Sequence, residues 1–231
     1  MKTQMRFILP LFIMALLSLS SSWVLAESET TDTVKLHDIK GNTVEVPTGS
    51  SDKITVLCFL GTECPLARLY GPRLETLSQK YAKDARFYAI NSNMHDSLEE
   101  FAAYAEAHKL KFPCVKDYEN KLADRMGAER TPEVIVLDRA GKVRYQGRID
   151  DQYLPGIVKP EPTRSDLKIA LEELVSGKEV STPETKAVGC LIGKVFPEEI
   201  TTDITYTKEI APILQTHCVE CHRQGEIGPF V

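Results

Sequence analysis

The apolar and polar residues change period along the chain, and each change marks an element. "TVKLHDIKGNTVEVP" alternates about a "KGN" turn and predicts a β-hairpin. "KITVLCFL" is a continuous apolar run, the pattern of a strand buried on both faces. From about Cys64 to Tyr81 the period becomes helical, with Leu66, Tyr70, Leu74, Leu77 and Tyr81 three or four apart. "ARFYAIN" predicts a strand, and "SLEEFAAYAEAHKL" a helix opened by a Ser97–Glu100 capping box. "FPCVKD" reads as a short strand and "YENKLADRMG" as a short helix ended by Gly127. "PEVIVLD", an "RAGK" turn and "KVRYQGRI" form a strand pair. "SDLKIALEELVSG" is an amphipathic helix that turns Leu167, Ala170, Leu171 and Leu174 to the core.

Strands alternating with helices, followed by an antiparallel pair and a last helix, predict an α/β fold, a mixed sheet covered on both faces. The predicted domain spans residues 33–178. Residues 179–204, rich in Pro, Thr, Lys and Glu, read as a wrapping tail or linker. A new helical segment begins with "YTKEIAPILQTHCVECH", in residues 205–231.

The first residues change the compartment. Lys2 and Arg6 precede "FILPLFIMALLSL", and Val24 and Ala26 occupy the two small-residue positions of a cleavage site. Residues 1–26 are therefore expected to be a signal peptide and 27–32 a polar linker. The mature chain would be exported, periplasmic or extracellular, with no stable membrane span. Cleavage would remove Trp23, the only tryptophan. The formal charge of −5 and the lack of a basic run exclude a nucleic-acid partner. Six cysteines in an exported chain point to disulfides or redox chemistry.

The chemistry is expected in "FLGTECPLARLYGP", where a buried strand turns into a helix at Cys64. Pro65 suits the first helical position. A sulfur there faces unpaired amides and the positive end of the helix dipole, both of which favour thiolate. Arg68, one turn on, would add positive charge, and Glu63 opposes it.

This arrangement resembles the thioredoxin-like superfamily, and within it the AhpC/TSA redoxins (alkyl hydroperoxide reductase C/thiol-specific antioxidant). The resemblance covers residues 33–178. Cys64 sits at the elbow, Pro72 falls where thioredoxins have a kinking proline, and "RTPEVIVLD" is similar to the loop whose proline is cis and faces the active sulfur. That proline is Pro132, preceded by Thr131. Residues 112–127 resemble the insertion that distinguishes redoxins from minimal thioredoxins. The resemblance implies a thiol-based oxidoreductase acting on a thiol, disulfide or peroxide substrate with a redox partner protein. Cys64 would be the nucleophile, with Thr131, Pro132 and Arg68 around it, and the redoxin domain would need no cofactor.

Two departures narrow this. Ala67 stands where thioredoxins carry their second cysteine, so Cys64 cannot close a disulfide within its own turn. Gly61 stands where peroxiredoxins carry a peroxide-orienting threonine, although Thr62 is one residue away. The resolving thiol is Cys190, Cys114 or an outside thiol, with Cys190 preferred because its tail can fold over the elbow. Cys58, in the buried run, reads as core. The other reading of this domain is a non-catalytic platform.

"CVECH" has the spacing of a c-type haem attachment site. It resembles the start of a c-type cytochrome domain, which implies thioethers at Cys218 and Cys221, His222 as axial ligand to the iron, and electron transfer through haem c. Neither Met nor His follows His222. The chain is accordingly expected to be a fragment of a larger exported multidomain oxidoreductase; the alternative is a five-coordinate haem.

Overall fold

The computed structural model describes residues 33–195 and 203–219. The expected hairpin is β1 (Thr33–Asp38) and β2 (Thr43–Pro47), paired antiparallel. The Asp38 carboxylate accepts the amides of Lys40 and Asn42, each at 2.8 Å, and so closes the turn. The apolar run is β3 (Ile54–Phe59), buried at every position. It is followed by α1 (Pro65–Lys80), β4 (Ala85–Asn91) and α2 (Leu98–Ala107). The Ser97–Glu100 capping box forms as expected, with both reciprocal bonds present. Then come β5 (Cys114–Lys116), α3 (Lys121–Met126), β6 (Arg130–Thr131), β7 (Glu133–Leu137) and β8 (Val143–Gly147). The small hairpin of β9 (Tyr153–Leu154) and β10 (Ile157–Val158) has too short a pattern to read in the sequence. The amphipathic helix is α4 (Asp166–Val175). Beyond it lie β11 (Cys190–Leu191), a π-helical turn at Tyr206–Ile210 and α5 (Ala211–His217).

Seven strands form one mixed sheet in the order β2-β1-β5-β4-β3-β7-β8. β3 runs parallel to β4 and antiparallel to β7 at its centre, which is why it carries no polar face. On one side Val56 and Cys58 pack with Ala67, Tyr70 and Leu74 of α1, Phe101 of α2 and Leu167 and Leu171 of α4. On the other, Leu57 and Phe59 pack with Leu122 and Ala123 of α3 and with Ile192 of the tail. The sheet is thus covered on both faces, as expected.

Two expectations are refined. The buried face of α1 is Ala67, Tyr70, Gly71, Leu74 and Glu75, whereas Leu66 and Leu77 are half-buried. Tyr70, Leu74 and Tyr81 of the expected stripe are in the core with Leu66 and Leu77 packed against it, and the buried face widens to Gly71, beside the His108 ring, and to Glu75, which accepts the Lys111 amide at 2.8 Å. Of the two readings of the tail, the wrapping one holds for its described part. The Gln146 amide donates to the Pro183 carbonyl and the Gln146 carbonyl accepts the Thr185 amide, the Ile192 amide donates to the Glu129 carbonyl, and the Met94 amide donates to the Gly193 carbonyl. The packed domain therefore extends past residue 178 through this segment. The expected signal peptide, Cys221 and His222 lie outside the described residues. No helix among the described residues is long and apolar enough to cross a membrane.

Candidate active site

Cys64 is the N-cap of α1, and Pro65 opens the helix at the position where a missing amide hydrogen costs nothing. Pro72 lies inside the same helix. Ahead of the cysteine, the Thr62 amide donates to Asp96 Oδ2 at 2.9 Å. Asp96 also accepts the side-chain amides of Asn91 at 2.6 Å and Asn93 at 3.2 Å. Burial raises its pKa, but these bonds outweigh it and hold the carboxyl below the usual range. Beside it Lys116 is buried and donates to Asn91 Oδ1 at 2.7 Å. Burial lowers the lysine, and Asp96 and Asp117 oppose that shift. This polar base fixes the elbow to the end of β4. It was not legible in "NSNMHD", where each residue reads separately as a turn former.

The Thr131–Pro132 bond is cis, as the sequence predicts. The Cys64 thiol donates to the Thr131 carbonyl at 2.9 Å. Gly61 permits this closeness: a Cβ there would lie 2.9 Å from Thr131 Oγ1 and 2.4 Å from Asn93 Nδ2. The position that carries a threonine in peroxiredoxins therefore has no room for one. The Thr131 hydroxyl is buried without a hydrogen-bond partner of good geometry, yet close enough to Cys64 to favour its anion.

β11 completes the site. It pairs antiparallel with β6, setting Cys190 opposite Thr131 and Leu191 opposite Arg130. Arg130 Nη1 donates to the Gly189 carbonyl at 2.8 Å, and the Gly193 amide donates to Asn93 Oδ1 at 2.8 Å. Cys190 is brought to Cys64 in this way. Burial pushes the Cys64 thiol up, but the amides of Cys190 and Ala67, then the Cys190 thiol and the Thr131 hydroxyl, bring it below its ordinary value. Burial and the adjacent Cys64 sulfur push Cys190 up. Of the two sulfurs, Cys64 is therefore the one that ionises more readily. Cys64 is only 4 % exposed, whereas Cys190 is exposed.

The other expected residues are placed apart. Arg68 turns its Nε to the Thr62 carbonyl at 2.9 Å and is not among the leading groups that set the Cys64 thiol. The helix-start amide expected to favour the thiolate is present as Ala67, joined by the amide of Cys190. Cys114 lies in the core, its thiol directed to the Phe112 carbonyl at 3.5 Å, and burial pushes it up to about 12. Cys58 is fully buried and also raised, in keeping with a core role. Beside the elbow a groove of about 430 Å³ is lined by Thr62, Glu63, Arg68, Glu100, Tyr104 and His108.

These shifts fix a pH dependence for the reduced protein. Cys64 ionises earlier when folded than when unfolded, so stability rises with pH from its folded value up to the unfolded thiol value, 9.0. Above that, Cys58, Cys114 and Cys190 stay protonated in the fold while their unfolded counterparts ionise, so stability falls. Urea unfolding of the reduced chain should show the rise below pH 9.0, and Cys64→Ser should remove the rise while keeping the fall.

A family model matches residues 28–146, and its description is the AhpC/TSA family. The chain belongs to this family. Its fold is the thioredoxin-like mixed α/β arrangement expected of an AhpC/TSA member. An uncharacterized conserved protein from Geobacillus kaustophilus is similar at 30 % identity and TM-score 0.64, over 72 % of this chain and 90 % of that one. A hypothetical protein from Sinorhizobium meliloti gives 29 % identity and TM-score 0.64, over 71 % and 92 %. A thioredoxin-like protein from Haemophilus influenzae is 26 % identical over 106 residues, 46 % of this chain and 61 % of that protein. The chain thus spans less than two thirds of the length of that curated relative.

The haem motif is only partly described. Cys218 caps the C-terminus of α5 as a half-buried free thiol. Ile213, Leu214 and Val219 around it are exposed.

Proposed function

We propose that the chain is an exported thiol–disulfide oxidoreductase that uses Cys64 and Cys190 as its redox pair. The observation that carries this reading is the pairing of β11 with β6, which lays Cys190 against the elbow sulfur. The pair cycles between dithiol and disulfide, moving two electrons to or from a thiol substrate or a redox partner protein. Export rests on the signal-peptide pattern of residues 1–26. Peroxide reduction is the less favoured substrate chemistry, because Gly61 leaves no threonine hydroxyl at the usual place. Peptide mapping after one equivalent of diamide tests the pair. The expected product is a Cys64–Cys190 disulfide; a product through Cys114, or none, would leave the non-catalytic platform as the better description.

A second reading concerns residues 205–231. Cys218 and Cys221 would hold haem c by thioethers and His222 would ligate its iron. The two thiols and the imidazole fit that group, and the exposed Ile213 and Leu214 supply apolar surface beside Cys218. Bound haem supplies one-electron transfer. Expression with a c-type maturation system should give a covalently haem-stained band that is lost in Cys218→Ser. A colourless wild-type band would end this reading.

A further inference from the structure

We infer that Cys190, rather than Cys64, is the sulfur that exchanges with the substrate, and that Cys64 is the sheltered partner behind it. This rests on the redox-pair reading above and adds its direction. Thiol–disulfide exchange needs the incoming sulfur to approach the attacked sulfur in line with the bond that breaks. Cys64 is 4 % exposed and lies beneath the β6–β11 pair, with the Thr131 carbonyl 2.9 Å from its sulfur. Cys64 is therefore the less accessible of the two sulfurs while β11 is in place. Cys190 is exposed, and its neighbour Leu191 is 66 % exposed. A substrate sulfur on a protein or peptide can reach Cys190 without moving the tail, and Leu191 offers it an apolar contact.

The stepwise chemistry is consistent with this direction. A substrate thiolate attacks the Cys190 sulfur of the Cys64–Cys190 disulfide, and the electron pair of the broken bond leaves on Cys64. The amides of Ala67 and Cys190 receive that charge, so no proton is needed at this step. The second substrate thiol then attacks the substrate sulfur held on Cys190, closes the substrate disulfide and expels Cys190. Cys190 takes one of the two substrate protons, and the other goes to solvent. The substrate loses two electrons and the protein pair gains them. In reverse, Cys190 passes its proton to Cys64 and attacks a substrate disulfide as the thiolate, expelling one substrate sulfur as its thiolate; that sulfur takes the proton from Cys64, and the Cys64 thiolate then attacks Cys190 and displaces the second reduced substrate sulfur.

The test is trapping with variants of the full chain that carry Cys218→Ser and Cys221→Ser and keep one member of the Cys64–Cys190 pair. Reduced Cys64→Ser and Cys190→Ser are each mixed with oxidised glutathione and followed by intact mass and peptide mapping, with circular dichroism confirming the fold. Cys64→Ser should accumulate a stable mixed disulfide at Cys190. Cys190→Ser should react at Cys64 about a hundredfold more slowly. Cys64→Ala should behave as Cys64→Ser, which guards against a fold defect in one variant. Faster trapping at Cys64 in Cys190→Ser would overturn the inference but leave the redox pair intact. A parent chain that neither forms the Cys64–Cys190 disulfide nor turns over would overturn both.

Discussion

Replacing either Cys64 or Cys190 by serine is expected to bring dithiol–disulfide turnover to within about tenfold of uncatalysed thiol exchange. Each variant loses the internal step that closes or opens the pair. Cys64 also loses the charge sink that Ala67 and Cys190 amides build at the head of α1. Cys114→Ala and Cys58→Ala should keep most of the activity, since both thiols are core groups held protonated by burial. They should instead lose about 1 kcal/mol of stability each, as expected for removing a small buried group. The measurement is steady-state insulin reduction alongside urea unfolding. Activity that survives Cys190→Ser but not Cys114→Ala would move the resolving role to the core cysteine.

Gly189→Ala should be nearly as damaging without touching either sulfur. Gly189 has φ +152, and a Cβ there would lie 2.0 Å from the Thr131 carbonyl oxygen and 2.7 Å from its carbon. Those are backbone atoms and cannot swing away, so β11 must lift from β6. A displacement of about 1 Å at reacting atoms can slow a reaction on the order of a hundredfold. Oxidative closure of the pair should slow by that much, stability should fall by about 2–4 kcal/mol, and Cys64 should become more open to iodoacetamide. Gly177→Ala is the control. Gly177 has φ +71 with nothing within 4 Å of its Cβ position, so that variant should cost about 1 kcal/mol and leave closure unchanged. Equal closure rates in the two variants would show that β11 does not position Cys190.

Legibility followed the range of the interactions. The hairpin, the central strand, the capped α2 and the amphipathic α4 were read from period and end signals, because these are set by neighbours within a few residues. Cys64 at a helix start and Pro132 before a strand were legible for the same reason. Arg68 lies on its helix as read, and the partner of its Nε, the Thr62 carbonyl, was not legible, since a long side chain has several reachable carbonyls. The tail read equally as a wrapping segment or a linker, because its Pro- and Thr-rich composition suits both, and what decides for wrapping is backbone pairing to β6 and to Gln146. Backbone bonds are the same for every sequence, so composition does not announce them.

The sequence by itself determined which residues could carry sulfur chemistry, where the helix would open beneath one of them, and the order of strands and helices around it. Only the tertiary structure decided that Cys190 rather than Cys114 faces that sulfur, that the Cys190 amide joins the helix-start amide in favouring its charge, and that Asp96 and Lys116 lie buried near it. The physical reason is distance along the chain. Helix caps and strand periods arise from adjacent residues, whereas the pairing of two thiols depends on how a sheet, a cis-proline loop and a returning tail are stacked in space.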